Sequence, residues 1–498
     1  MTGAARRSPA RVLAPVLLLA MAGLCGFANA DEAVPSRPNV LWFLVDDMSA
    51  DIGCYGGPVP TPNIDRLAAE GTRFTAAFTT APVCSPSRSA LVTGRHQTSI
   101  GAHHHRSGRG RLRITLPPGV RTVPAILREA GYQTCIGDGL GPEGDGRLGK
   151  TDYNFDWDTA TFDAPDWAGR AAGQPFFMQV TLPGGKLRGE SLESIRALSR
   201  RAEREFGAAV AAADVALPPT YPDDAVLRAD RAAYLDAVRF TDRHVGRVLD
   251  RLEREGLLDD TVVVFLTDHG ISHARGKQFL YDEGTRIPLV VRGPGIPRGA
   301  VRDDLVEHID VAALTLARAG LGIPAAMHAQ DPFAAGHEPR EAVFAARDRC
   351  DETVDRIRSV RTPEWLYVRN FHPRRPLLQP NAYKDGKAIV QRLRALHEEG
   401  ALEPLHERLL FAPERPAEEL YAWRGDGHQL VNLADDPRHA SLLADLRGRL
   451  EGWMTACGDP GEEPEAMYDE EMRVYVGAGN ATVERNVALM KRLAREGK

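Results

Sequence analysis

"NVLWFLVDD", Asn39 to Asp47, and "TVVVFLTDHG", Thr261 to Gly270, decide the fold between them. Each is a short run of aliphatic, β-branched and aromatic residues that ends abruptly at aspartate. Runs that are apolar on both faces suit central strands of a sheet covered by helices. Helix signals lie between the two. "TPNIDRLAAEG" offers Thr61 as N-cap, Pro62 at the first helical position and Gly71 just past the end. A longer helix is predicted over about 229 to 255, with Leu235, Val238, Val245, Leu249 and Leu252 on one stripe and Gly256 as terminator. Strands alternating with helices mean an α/β fold. Functional groups in such folds gather at the carboxyl ends of the strands, and Asp46, Asp47 and Asp268 fall there.

The chain has 498 residues, 43% hydrophobic and 26% charged, with a formal net charge of -6. That balance suits a folded protein with a large core and gives no global basic field, so a nucleic-acid partner is not expected. Residues 1 to 30 read as a secretory signal: Arg6, Arg7 and Arg11 precede an apolar run, and Ala28 to Ala30 offers a cut near Ala30. The run falls short of the roughly 20 residues a spanning helix needs. A secreted or periplasmic protein without a membrane anchor is expected. Removing the signal leaves Cys54, Cys84, Cys135, Cys350 and Cys457, an odd number for an oxidising compartment. After "AQDPFAAGHEPREA" (329 to 342) a second unit is expected, a smaller C-terminal α+β domain over 341 to 498. Its strand candidates are "AVFAAR", "EWLYVRNF" and "EELYAW", with a basic helix near 387 to 398.

If the two aspartate-terminated strands are neighbours, three carboxylates meet at one sheet edge, where they repel unless a cation sits among them. Helix capping or solvent exposure is the other reading of these aspartates. Oxygen ligands favour Ca2+, Mg2+ or Mn2+ over Zn2+, while His269 adds a softer imidazole than Ca2+ usually takes. In "TTAPVCSPSRSALVTGR" (Thr79 to Arg95), Pro86 suits a first helical position and Gly94 a terminator. Cys84 would then sit at a helix N-terminus, where backbone amides favour an anion, with Arg88 one turn in. A thiolate facing three carboxylates and a hard metal is a poor nucleophile site. A merely structural cysteine, however, explains neither the proline nor the arginine.

At "CSPSR" the chain resembles the type I sulfatases of the alkaline phosphatase superfamily, whose signature is Cys-x-Pro-x-Arg. "LVDD", "TPNIDRLAAEGTRFTAAF", "VTGR" and "TDHG" follow the family's order, and "ELYAWRGDGHQLVNLADDP" is similar to its C-terminal segment. The resemblance implies an alkaline phosphatase-like mixed sheet sandwiched by helices, with a catalytic domain over 31 to 340. It also implies that Cys84 is oxidised to formylglycine by a maturation enzyme, which becomes a partner of the chain. One hydroxyl of the hydrated aldehyde attacks sulfur and expels the alcohol; the other loses its proton, the aldehyde re-forms and sulfate leaves. Carried over by position, Asp46, Asp47, Asp268, His269 and the modified Cys84 are expected to hold one divalent metal, Ca2+ ahead of Mg2+ and Mn2+. Arg88 is expected to hold the diol, and Lys277 the sulfate.

Two departures from the family pattern stand out. Where many relatives read Gly-Lys-Trp-His-Leu-Gly, this chain reaches "GKTDYNFDWD" after a Gly-rich insertion, so Lys150 matches the lysine and Asp152 stands in the histidine's place. That segment resembles bacterial polysaccharide sulfatases related to heparan N-sulfatases. After "PFFMQVTLP" the usual sulfate-binding histidine is missing, and Lys186 or Arg188 in "GGKLRGES" is the available charge. His273, beside Lys277, either lines the pocket or faces solvent. "GAHHHRSGRGRLR" (101 to 113) places His103 and His105 in a loop that either binds an anionic sugar or is solvated. Neighbouring histidines there point to opposite faces, which is poor for chelation. "RNFHPRRP" (369 to 376) is a further candidate to present arginines to the pocket. The function expected is hydrolysis of a sulfate ester, or a sulfamate, of an extracellular sulfated carbohydrate. A phosphonate or phosphodiester hydrolase, or a glycan-binding pseudoenzyme, are the alternatives.

Overall fold

The computed structural model describes Met1 and residues 37–141, 149–476 and 479–498. The expected signal segment and most of the Gly-rich insertion lie outside these residues. From Val34 on, the chain forms one compact unit.

Twelve strands follow in chain order: β1 (Asn39–Val45), β2 (Thr72–Phe78), β3 (Gln133–Gly137), β4 (Phe176–Leu182), β5 (Thr261–Thr267), β6 (Arg286–Arg292), β7 (Ala300–Arg302), β8 (Val306–Glu307), β9 (Val343–Arg347), β10 (Ile357–Arg361), β11 (Leu366–Asn370) and β12 (Glu418–Tyr421). The first eight make one mixed sheet in the order β3-β4-β1-β5-β6-β2-β7, with β8 also on β2. β1 lies between β4 and β5 and is parallel to both, whereas β6 runs antiparallel to β5. The last four strands form an antiparallel sheet in the order β12-β11-β10-β9. Three of these coincide with the strand candidates read in the sequence; β10, "IRSVR", was not among them because its arginines break the apolar run.

Successive residues of β1 feed opposite cores, as a central strand must. Val40, Trp42 and Leu44 meet Ala90, Leu91 and Leu314 on one face. Leu41, Phe43 and Val45 meet Ile64, Leu67, Leu235 and Val238 on the other. The helices that cover these faces include α1 (Pro62–Glu70), α2 (Cys84–Thr93) and α3 (Ala225–Arg254). α2 is buried along its whole length and ends on Gly94 at φ 64, the left-handed conformation that suits glycine. α1 starts and stops where its signals lie, but its N-terminus is capped from elsewhere. The Thr61 side chain makes no cap bond to the helix. Instead Asp242 of α3 accepts the backbone N–H groups of Asn63 and Ile64 at 3.0 and 2.9 Å and the Asn63 side-chain amide at 2.7 Å.

Among the described residues no helix is long and apolar enough to cross a membrane. Their cysteines, Cys54, Cys84, Cys135, Cys350 and Cys457, are all free thiols.

The borrowed cap separates two effects. Asp242→Ala strips two helix donors of their acceptor and is expected to cost about 1–2 kcal/mol of stability. Thr61→Ala leaves that cap intact but removes the buried acceptor of Gly53 N–H at 2.8 Å and a donor to Asp65 at 3.0 Å, and is expected to cost about 1–2 kcal/mol without loosening the helix start; urea unfolding followed by circular dichroism measures both.

Candidate active site

β1 and β5 pair in parallel with Val45 opposite Thr267. Asp46, Asp47, Asp268 and His269 therefore emerge together at one carboxyl edge of the sheet, as the two terminating aspartate signals implied. Backbone bonds hold this edge: Asp268 N–H donates to Val45 O at 2.9 Å, and Asp47 N–H to Asp268 Oδ1 at 3.2 Å. α2 delivers Cys84 to the same place. The helix starts at Cys84 with Val83 as N-cap, so Pro86 takes the third helical position, which a proline tolerates because it lacks only an orphan donor. Ser87 Oγ donates to Asp268 O at 2.5 Å and fastens α2 to the end of β5.

Arg88 ties the carboxylates to one another. Its Nε donates to Asp268 Oδ2 at 3.1 Å, its Nη2 to Asp46 Oδ1, and its Nη1 to Lys150 O at 3.1 Å. Three ammonium groups stand on the opposite side. Lys277 Nζ lies 3.1 Å from Cys84 Sγ and 2.9 Å from Asp47 Oδ1. Lys186 Nζ lies 3.3 Å from Cys84 Sγ and 2.6 Å from Asp46 Oδ2. Lys150 Nζ lies 2.9 Å from Asp46 Oδ2 and 3.3 Å from Asp152 Oδ2, and Asp152 also pairs with Arg109. Lys277 thus touches the cysteine, and Lys150 and Asp152 lie within its electrostatic reach.

Charge dominates the chemistry. Burial works to raise the Cys84 thiol, but Lys150, Lys277, Lys186 and His269 outweigh it and pull it well below its ordinary range. Against burial, Arg88, Lys150 and Lys186 hold the Asp46 carboxyl far down. Lys277 and Lys186 likewise bring Asp47 to about 2. Asp268 goes the other way, pushed up to about 6 by burial despite His269, with Asp46 and Cys84 adding repulsion.

The donor set fits a divalent cation. Asp47 Oδ2 is buried without a hydrogen-bond partner. Asp47, Cys84 and His269 place donor atoms within 4.8 Å of one another, and Asp46 and Asp268 flank them. His269 Nδ1 lies 2.9 Å from Gly270 O, which puts a ring proton on Nδ1, and Nε2 is the atom turned to the site, 3.3 Å from Cys84 Sγ and 3.2 Å from Asp47 Oδ1. Asp46, Asp47, Asp268, His269 and position 84 are the groups that would hold the metal.

Lys186 reaches the site through a glycine pair. Gly185 N–H donates to Asp46 O at 2.9 Å. A Cβ on Gly184, at φ +49, would sit 2.2 Å from Asp46 O, and one on Gly185 2.1 Å from Asp47 O. The turn that carries the lysine lies directly on the Asp46–Asp47 backbone, and "GGK" after a strand is the sequence signal for it. Arg188, the other available charge, points away to Asp230, Gly185 O and Ser272 O. α-Helical Tyr383, which the sequence did not single out, brings its hydroxyl to 3.4 Å from Lys277 Nζ.

Other expectations need correction. His273 does not offer its ring to a pocket: Nε2 meets Asp230 and Nδ1 meets Glu283, each at 3.1 Å. His103 is buried against His104, with ring centroids 4.1 Å apart, in the field of Asp348, Arg358 and Asp459 rather than in a solvated loop. His105 is buried as well, 3.2 Å from Asp351. In the 369 to 376 segment, Arg374 and Arg375 bind backbone carbonyls of Gly497 and Lys498 and so secure the C-terminus. Among the described residues, five of the six non-glycine residues with left-handed backbones, Asp47, Arg106, Asp152, Gln278 and Asp351, lie in the site or the loops bordering it, the clustering expected where strain serves a site.

The sulfatase family model matches residues 38–321. An ulvan-active sulfatase of Formosa agariphila is 31% identical over 473 residues, covering 87% of this chain and 77% of that protein. The human N-sulphoglucosamine sulphohydrolase is 28% identical over 516 residues, covering 91% and 96%. Among solved structures, one bound to its substrate D-glucosamine-2-N,6-O-disulfate has the same fold, with a TM-score of 0.59 at 18% identity over 86% of this chain and 100% of that one.

A metal-binding measurement checks the donor set. Asp47→Ala and Asp268→Ala should each weaken divalent-cation binding by more than the about 10–100-fold that loss of a supporting group costs, as read by calorimetry on chelator-treated protein.

Proposed function

This chain belongs to the sulfatase family and is a sulfuric ester hydrolase, and we propose that it removes sulfate, as an ester or a sulfamate, from an extracellular sulfated glycan. The carrying observation is the convergence of Lys277 and Lys186 on Cys84 Sγ at 3.1 and 3.3 Å, above three aspartates and a histidine. A tetrahedral oxyanion needs several donors, and a metal needs carboxylates; this site supplies both around one atom. Relatives named for ulvan and for N-sulphoglucosamine point to sulfated sugars of both linkages. The phosphonate alternative has a solved phosphonate monoester hydrolase at 18% identity beside it, which shares the fold alone, and a pseudoenzyme would have little use for an intact Cys84, Arg88 and carboxylate set.

Cys84 stands in for formylglycine. Converted, position 84 contributes a hydrated aldehyde oxygen as nucleophile, and a divalent metal, Ca2+ by this reading, contributes Lewis-acid polarisation. The chain's own groups do the rest. Arg88 keeps Asp46 and Asp268 in register, so their like charges stay together at the strand ends. The α2 N-terminus turns its free N–H groups toward the reacting position. Lys277 and Lys186 hold the sulfate oxygens, and the charge that grows on them during transfer is met by ammonium groups already in place. Asp152 orients Lys150, the lysine that matches the family's in sequence order. Export behind a leader cut near Ala30, and maturation by a formylglycine-generating enzyme, complete the reading.

Cys84→Ala is expected to lower sulfate release by more than about 10³-fold while leaving the melting temperature near that of the parent. Retained turnover on sulfated oligosaccharides would remove the reading, as would an unmodified thiol in the Cys84 peptide of active protein by mass spectrometry. Lys186→Met is expected to cost about 10²-fold in kcat, and Lys186→Arg less, in a steady-state assay of sulfate release.

A further inference from the structure

His105 and Asp351 are 2% and 4% exposed and face each other, Nδ1 to Oδ1, at 3.2 Å. Yet neither ring nitrogen of His105 and neither carboxylate oxygen of Asp351 makes an aligned hydrogen bond. Nδ1 and Oδ1 have each other, and Oδ1 also has Arg106 Nη1 at 3.7 Å, but His105 Nε2 and Asp351 Oδ2 are left as buried polar atoms without partners, which are rare and destabilising. Loose packing is not the reason, because the backbone around them is held. His105 N–H donates to Arg349 O at 2.9 Å, and Arg349 Nη1 donates to Asp351 O at 2.8 Å. Asp351 itself is kept in the left-handed region at φ 51. The next residue, Glu352, accepts from Ala382 N–H at 2.6 Å and Asn486 Nδ2 at 2.7 Å.

The pair borders the reacting centre on both sides. Arg106, which follows His105, donates its backbone N–H to Ser85 Oγ at 2.9 Å, and Ser85 follows Cys84. Tyr383, which follows Ala382, reaches Lys277 Nζ at 3.4 Å. Burial works to raise the Asp351 carboxyl, but His105, Arg106 and Lys277 outweigh it and hold it below its ordinary value, which places Lys277 within its field.

We propose that Asp351 and His105 form a sugar-hydroxyl subsite that reads the ring hydroxyls flanking the sulfated position. The proposal rests on the reading of Cys84 as the centre of a glycan sulfatase. A carboxylate accepts from two O–H donors, and an imidazole adds a ring N–H donor beside it, so the pair suits neighbouring hydroxyls of a sugar ring. The lysines at Cys84 take the anion, whereas Asp351 disfavours a second anionic group next to the scissile sulfate. Preference for sugars unsubstituted at the flanking position follows.

The test compares the parent enzyme with Asp351→Asn and His105→Ala on three substrates. These are a sulfated sugar that the parent hydrolyses, its analogue deoxygenated beside the sulfate, and 4-nitrophenyl sulfate. Asp351→Asn keeps the side chain's shape and guards against misfolding. The expected result is a fall of about 100-fold in the kcat/KM ratio of sulfated sugar to aryl sulfate. The parent and Asp351→Asn should also converge on the deoxy analogue. An equal fall on all three substrates would mean that the pair only supports the scaffold, and no fall on the sulfated sugar would mean that it does not touch the ring; either overturns the proposal alone. If the parent hydrolyses the aryl sulfate but no sugar sulfate, the glycan reading fails and takes this subsite with it.

Discussion

Arg88 makes the site possible. Two parallel strands that end in aspartate bring carboxylates together at a buried edge, where their repulsion would otherwise drive them apart or force protons onto them. One guanidinium spans Asp46 and Asp268, its planar fork matching a task that a lysine could not perform in the same geometry. Because Arg88 sits one turn into α2, the same residue that steadies the strand ends also sets the helix whose first residue is Cys84. The carboxylates, Cys84 and the sheet edge are therefore not three independent arrangements. They share a single cation that is 1% exposed and beyond the reach of screening salt.

The parts of this arrangement that follow chain-local rules were legible in the sequence. β1 and β5 announce themselves as central strands because both faces are apolar, and the Asp-Asp and Asp-His that end them fall where an α/β sheet puts its chemistry. Pro62, Gly71 and Gly94 mark helix ends by backbone preference alone. What escaped is what depends on long-range packing. The cap of α1 comes from Asp242, and Tyr383 reaches Lys277 from a short helix near the second sheet; neither has a local signature. Histidines read poorly for the same reason. His103 and His273 look like surface groups in sequence, but the structure buries them and occupies or covers their rings with acidic neighbours.

Backbone strain marks the boundary between scaffold and site. Left-handed backbones at Asp47, Asp152, Gln278 and Asp351 all fall on residues that flank or supply the charged groups around Cys84. Each is fixed by neighbours rather than by its own preference. Gln278 N–H, for instance, donates to Pro82 O at 2.7 Å and so locks the Lys277 segment onto the chain leading to Cys84. Preorganisation of this kind is how polar groups are kept in place for charge that develops only during reaction.

The seating of Gly184 and Gly185 on the carbonyls of Asp46 and Asp47 bears on how this site could be exchanged with a relative's. No side chain fits at either glycine without moving the strand end that carries Asp46 and Asp47. A loop grafted here with a histidine in place of Lys186 would function only if the glycine pair travelled with it. Lysine and glycines thus form one structural unit, and the choice between an ammonium and an imidazole at this corner is made by a whole turn rather than by a single side chain.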